Sequence, residues 1–432
     1  MVSLKGSFTW CVSGLAVAAC LWLVFPPDAD AATTSNAESA STLAQGTWTS
    51  APAGPLSART QQAAIWTGSD LLIWGGQSVS FSTTCPCSTN MLNNGALFDP
   101  RSEKWTVMAN SPLSPRDGVA SVWTGHVALL WGGQTEDTAN TPADSNRGAA
   151  FNPSSDRWSL LAASPLSPRD DAIALWTGEE AIFIGGNSPP GATSSSSLDG
   201  ADIDGATYDP STRRWTRLPT LPAKGLGAAY GITATWSDHA LIAWATFQTT
   251  RPVGSNGTQI RTRQLGAEWT PGQRSWKLLP SPPQTVVTAD GTSTWLAGRD
   301  VVTGATDCIG AMSCPAPITG VAEIYDPARD AWATSPRAPI FIHPDLVVST
   351  GTNLVLINES TEMTGPNLNF SPGDGTIFDP MKNTTTSLPA VPAEDVDTFS
   401  SMVWTGHDLL MWGVSANSTR TFGLQLADPR PP

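Results

Sequence analysis

The chain repeats itself, and the repeat restricts its fold more than any other feature. An apolar run ending in Trp-Thr-Gly or a variant recurs at Trp66, Trp123, Trp176, Trp236, Trp295 and Trp404, with Thr350 in the equivalent place of one further unit. Eight residues later a second apolar run ends at Trp74, Trp131, Ile184, Trp244 and Trp412. In the first three units Gly-Gly follows at once (Gly75-Gly76, Gly132-Gly133, Gly185-Gly186), and a long variable stretch comes next. A third run closes on aromatic-Asp-Pro or a relative, as at Phe98-Asp99-Pro100, Phe151-Asn152-Pro153 and Tyr208-Asp209-Pro210. Six residues after the Asp position stands Trp105, Trp158, Trp215, Trp276 or Trp332. Self-similarity at a near-fixed period marks a repeat architecture, in which each unit is one supersecondary element that buries its apolar face against its neighbours.

Every unit holds four short runs rich in Trp, Ile, Leu and Val, separated by Gly, Pro, Asp or Ser, which is strand punctuation. Runs such as Leu71-Leu72-Ile73-Trp74 are continuously apolar, as a strand covered on both faces must be. The longest uninterrupted segment, Ile232 to Arg251, breaks at Ser237-Asp238-His239 into two strands, so helix is excluded nearly everywhere. First-strand positions count to seven units. The seventh lacks a fourth strand, because the sequence stops at Pro432, whereas Trp48 precedes Trp66 by 18 residues, the same gap as Trp105 to Trp123. The expectation is an all-β, seven-bladed propeller over residues 47–432, with an N-terminal strand completing the last blade and removing open sheet edges.

Gly-Gly after the second strand, aromatic-Asp-Pro after the third, Trp six residues on and then Pro-x-x-Pro-Arg resemble the kelch repeat, as in the central domain of galactose oxidase. The resemblance runs from about Thr47 to Pro429 and is most specific in the first three units. Later units replace Gly-Gly by Ala245-Thr246, Gly304-Ala305 and Glu359-Ser360. Unit six also lacks both Trp, having Thr350 and Thr385, and is expected to be the loosest blade.

Composition narrows the function. Lys and Arg number 23 against 37 Asp and Glu, a net charge of −14, which argues against a nucleic-acid partner, since phosphate binding needs clustered cations. The N-terminus has a charged start at Lys5, an apolar centre from Phe8 to Phe25 and the small-residue site Ala29-Asp30-Ala31, the three parts of an export signal over 1–31. Two alternatives stay open: Val17-Ala18-Ala19-Cys20 resembles a lipobox, and the uncleaved stretch is long enough for a membrane anchor. No membrane insertion of the mature chain is expected, and it reads as a monomer. Residues 32–46 read as a flexible leader. Four mature cysteines in an exported chain favour disulfides, locally Cys85–Cys87 and Cys308–Cys314; a soft-metal site at Cys85/Cys87 is the sharper alternative.

Seven residues before each first-strand anchor lies the start of the innermost strand, near the mouth of the central channel. Those positions read Arg59, Arg116, Arg169, Ala229, Thr288, His343 and Asp397. Three consecutive guanidinium groups would sit on one arc, with His343 and Asp397 opposite, and Gln77, Gln134 and Asn187 after the Gly-Gly positions would add amide contacts. Arg forks suit carboxylate or sulfate recognition. The competing reading is structural: Pro-Arg is part of the repeat motif, and the Arg would pair with Asp117, Asp170 or Asp171.

His126, His239 and His407 occupy equivalent turns held apart by the ring and share no metal. Asp199, Asp202 and Asp204 match no complete calcium loop, so no metal or cofactor is expected. The leading expectation is an exported binding or scaffold module for a protein, glycan or small acidic ligand. The resemblance also implies enzyme classes. Galactose oxidase-like chemistry needs two Tyr, two His and a Cys cross-linked to one Tyr, and is not expected here, because Tyr208 and Tyr325 belong to the aromatic-Asp-Pro motif. A sialic acid mutarotase-like acid/base reaction needs only a carboxylate or His beside Arg, and His343 with Asp397 are its candidates.

Overall fold

The computed structural model describes residues 43–78, 90–136, 142–187, 202–253, 257–282, 292–305, 320–335, 346–364, 367–390, 398–415 and 418–427. The elements among them are all β-strands. Four-stranded antiparallel sheets follow one another along the chain. The first pairs Ala63–Trp66, Leu71–Trp74, Gly95–Asp99 and Lys104–Val107 in that order, and the second Ala120–Trp123, Ala128–Trp131, Gly148–Asn152 and Arg157–Leu160. The third has Ile173–Trp176, Ala181–Ile184, Gly205–Asp209 and Arg214–Arg217; the fourth has Ala228–Trp236, Leu241–Val253, Gly257–Trp269 and Lys277–Leu279. The fifth has Thr292–Leu296, Arg299–Ala305, Gly320–Asp326 and Ala331–Ser335; the sixth has Leu346–Ser349, Leu354–Thr364, Asn367–Asp379 and Thr384–Ser387. The seventh combines Thr398–Trp404, Leu409–Ser415 and Ser418–Ala427 with Thr47–Ser50.

Thr47–Ser50 is the outer strand of that last sheet, with Trp48 opposite Leu426 and Ser50 opposite Leu424. The first strands touch in chain order, and Thr398–Trp404 touches Ala63–Trp66. The architecture is an all-β propeller with the first strands innermost.

Burial explains the apolar runs. Leu71, Leu72, Ile73 and Trp74 are all buried, as are Ala128 to Trp131 and Ala181 to Ile184, because sheets cover them on both sides. Second-strand Trp residues are sealed inside, and each receives an indole from the next sheet. Trp74 meets Trp158 at 5.7 Å, Trp131 meets Trp215 at 6.0 Å, and Trp244 meets Trp332 at 4.5 Å between ring centroids. The fourth-strand Trp residues have a second task. Their indole N–H groups donate to carbonyls of the preceding sheet: Trp105 to Pro52, Trp158 to Ala109, Trp215 to Ala162, Trp276 to Pro219, Trp332 to Pro280 and Trp48 to Pro389, at 2.7–3.0 Å. A Trp at that place in the repeat is a clasp between sheets.

Two expectations are corrected. The segment read as a flexible leader is packed at its end, because Leu43 is buried against Leu346, Val348 and Trp404. The variable stretches after the second strands of the fourth, sixth and seventh sheets are extensions of the strands themselves, reaching 13 residues in Leu241–Val253 and Gly257–Trp269. Alternating Thr, Gln and Arg in that stretch is a period-two pattern. The sixth sheet replaces Trp with aliphatic packing, and Leu354, Val355, Leu356, Ile357 and Phe378 are fully buried.

Candidate functional site

The three predicted arginines come first, since the repeat places each one in the same local frame. In Pro55-Leu56-Ser57-Ala58-Arg59 and its two copies the Leu is buried (Leu56, Leu113, Leu166), and the Arg that follows is turned inward. Arg59, Arg116 and Arg169 are 0%, 1% and 1% exposed. Each Nε donates to the carbonyl two residues earlier, of Ser57, Ser114 or Ser167. Each Nη1 donates to the carbonyl of the first Gly of its own Gly-Gly pair, 3.0 Å to Gly75, 2.8 Å to Gly132 and 3.1 Å to Gly185. It also reaches the carbonyl of Asn94, Arg147 or Asp204, just before the third strand. Each Nη2 donates to the hydroxyl oxygen of the same Ser.

These guanidinium groups therefore staple the start of the first strand to both ends of the second-to-third connection. The expectation that they receive a ligand is corrected: their planar forks are filled by main-chain carbonyls. Burial holds Arg59 and Arg116 down to about 10, still charged at neutral pH, and for Arg116 the nearby Arg147 adds to the effect. The carboxylates expected as partners do not fill that role either. Arg169 pairs instead with Asp202 at 3.3 Å and Asp204 at 2.8 Å.

Further polar residues lie just past each Arg. Thr60 stands opposite Gln77 in a two-residue ladder, and Asp117 and Asp170 stand opposite Gln134 and Asn187 in single bridges. The next residues, Gln61, Gly118 and Asp171, all have positive φ, and their main chains join sheet to sheet. Gly118 N–H donates to the Gln61 carbonyl at 3.2 Å, and Asp171 N–H to the Gly118 carbonyl at 2.9 Å. A Cβ at Gly118 would lie 2.7 Å from Asp171 Oδ1, the movable end of a side chain.

Carboxylates and amides interleave on this arc. Gln77 Nε2 donates to Gln61 Oε1, Gln134 Nε2 to Asp170 Oδ2 at 3.5 Å, and Asn187 Nδ2 to Asp171 Oδ2 at 3.4 Å. Asp170 Oδ1 is buried with no hydrogen-bond partner among the described residues. Burial pushes the Asp170 carboxyl up to about 6, against the hydrogen bond from Asn187. Gln134 and Asn187 thus lie beside carboxylates rather than arginines, and Gln77 beside the Gln61 amide. The sequence signal for Asp170 was its place one residue after the repeat Arg.

His343, Asp397, Cys85, Cys87, Cys308, Cys314 and the segment 1–31 lie outside the described residues. His126, His239 and His407 are exposed turn residues. Among the described residues no three His, Cys, Asp or Glu side chains converge as metal ligands, and no helix is long and apolar enough to cross a membrane. A second carboxyl, Asp300, is wholly enclosed between the fourth and fifth sheets. Trp244 Nε1 donates to it at 2.6 Å and Ser293 Oγ at 2.8 Å, and burial pushes it up to about 7.

Comparison with known proteins adds the following. No family model matches the chain. A curated relative from Aspergillus terreus, a Kelch-like protein named terF, is 22% identical over 298 residues, 68% of this chain and 59% of the relative. The chain thus spans about three fifths of that relative's length. Among solved structures, that of YjhT aligns over 78% of this chain and 99% of its own with 14% identity and a TM-score of 0.48. The sheet architecture is that of a β-propeller, and in repeat motif and sequence the chain is similar to kelch-repeat proteins.

Proposed function

We propose that this propeller is an exported binding module whose ligand is a hydroxyl-rich glycan, held on the arc of Asp117, Asp170, Asp171, Gln134 and Asn187. We read its sheets as seven blades, the last closed by Thr47–Ser50; the pairing of that strand with Ser418–Ala427 supports the reading. The observation that carries the ligand class is Asp170, whose buried Oδ1 lacks a partner among the described residues while the Gln134 amide donates to its Oδ2. Carboxylates accept from sugar hydroxyls while amides both donate and accept, so such a row suits a neutral polyol. A small acidic ligand fits less well, because the guanidinium groups that would recognise it are spent on the fold. Export is supported by the three-part pattern of residues 1–31.

The test is glycan-array binding by wild type and by Asp170→Asn and Asn187→Ala. Loss of at least about ten-fold in affinity for the array hits, with unchanged thermal stability, supports the arc. Hits bound equally by both variants would remove it.

A second reading is favoured by one observation: Asp170 sits at about 6, close enough to neutrality to give and take a proton. Under that reading the same arc catalyses a mutarotase-like acid/base exchange on the bound sugar. Turnover falling with Asp170→Asn and following a single ionisation near pH 6 would favour it; binding without turnover leaves the module.

A further inference from the structure

The cations of this acidic chain are not spread evenly. From Gly205 to Pro282 there are nine Lys and Arg against three Asp and Glu, while the rest of the sequence has fourteen against thirty-four. All nine are exposed. Three of them share one feature of the fourth sheet. The strands Leu241–Val253 and Gly257–Trp269 pair throughout, but the first strand accompanies them only as far as Gln248. Beyond that point they form a bare two-stranded ribbon.

Register fixes which residues share a face. Phe247 is opposite Arg263, Thr249 opposite Arg261, and Arg251 opposite Gln259. Side chains alternate along a strand, so Arg251, Arg261 and Arg263 line one face with Phe247 and Thr249. Two-residue steps put Arg261 and Arg263 about 6–7 Å apart along the strand, and Arg251 lies on the diagonal from Arg261 at about 7–8 Å. Phe247 is buried in the cluster shared with the third sheet, which holds the base of the face in place. No carboxylate occurs between Leu241 and Ala267, and the ion pairs of the described residues leave all three guanidinium groups out.

We propose that this Arg-lined ribbon face is a docking surface for a linear acidic polysaccharide carrying carboxylates. It is separate from the arc at the axis and does not rest on that site. Charge complementarity selects a polyanion, since residues 205–282 carry an excess of six positive charges in a chain of net −14, and three of those cations stand on this face. Guanidinium forks match carboxylates in two-point contacts. A ribbon two strands wide seats a single extended chain. The described side chains of this face offer no exposed aromatic or aliphatic group, the centre round which protein interfaces are built.

The experiment measures binding of the full chain to a defined oligogalacturonate at low and at physiological ionic strength. The variants are Arg251→Ala/Arg261→Ala/Arg263→Ala and, as an exposed control, Arg101→Ala. Wild type and Arg101→Ala are expected to bind alike. The triple variant is expected to lose at least about ten-fold at unchanged melting temperature, and wild-type affinity to fall steeply with salt. Equal binding by the triple variant, or no wild-type binding at low salt, overturns the proposal. Tighter binding to a sulfated oligosaccharide, an oligoglutamate peptide or duplex DNA overturns the choice of occupant.

Discussion

The main-chain amide of Gly76 donates a 2.9 Å hydrogen bond to the carbonyl of Arg116, so the second Gly of one repeat is joined to the Arg of the next. Gly133 makes the same bond to Arg169. A Cβ at Gly76 would lie 2.5 Å from the Thr60 carbonyl, on a backbone with φ of +88°. Gly68 has almost the same φ, +90°, but nothing within 4 Å of that Cβ position. Gly68→Ala should therefore cost about 1–2 kcal/mol, the price of the left-handed backbone alone. Gly76→Ala should cost more, about 2–4 kcal/mol, because backbone must also move. Urea denaturation of the two variants checks this, and equal losses would refute the close-approach argument.

Arg116→Ala should act on stability before anything else. It leaves the carbonyls of Ser114, Gly132 and Arg147 without their donor in a sealed site. The expected loss is about 3–5 kcal/mol. Arg116→Lys keeps the charge but not the fork, and should recover less than half of that. Denaturation midpoints of both variants decide; a fully stable Arg116→Ala with altered ligand binding would return the residue to the site.

The repeat made most of the fold legible, because each spacing has a packing cause. Trp105 and Trp158 recur since each indole reaches a carbonyl of the sheet before it, and Gly75-Gly76 recurs since the next Arg passes against it. Burial of the Arg was harder to read. A guanidinium in a sequence looks like a surface cation until the carbonyls that can fill it are known, and those of Gly75 and Asn94 lie 16 and 35 residues away from Arg59. Asp170 was hidden for the same reason, as its environment is set by Gln134 of the preceding repeat. The long ribbon of the fourth sheet was legible only as alternation, which a variable stretch easily conceals.

Arg147 offers a stabilising change. It holds the place that Asp204 holds in the third sheet, where the carboxylate meets Arg169 at 2.8 Å. In the second sheet two cations face each other instead, and Arg147 helps to lower Arg116. Arg147→Asp should turn repulsion into a pair. The side chain is exposed, so solvent limits the gain to about 0.5–1 kcal/mol. A rise in melting temperature that shrinks in high salt is the expected result, and a fall would show that the main-chain contact at Arg147 depends on its side chain.

Asp300 should make the junction of the fourth and fifth sheets sensitive to pH. Its carboxyl is fully enclosed, accepts from Trp244 and Ser293, and titrates near 7 in the folded chain against about 3.9 in an unfolded one. Between those values the folded state binds the extra proton, so stability is greatest below about pH 4, falls as pH rises towards 7 and is level above. The neighbouring acids do not oppose this, because burial also raises Glu323, and Tyr325 is raised by burial and by its hydrogen bond to Asp330. Asp300→Asn keeps the shape: its Oδ1 accepts from Trp244, and its Nδ2 donates to a Ser293 hydroxyl that turns round. Urea denaturation at pH 4.5 and 7.5 should then show a drop in wild type larger than in the variant by on the order of 2–4 kcal/mol. Equal drops would mean that the proton sits elsewhere, with Glu323 the next carboxyl to replace.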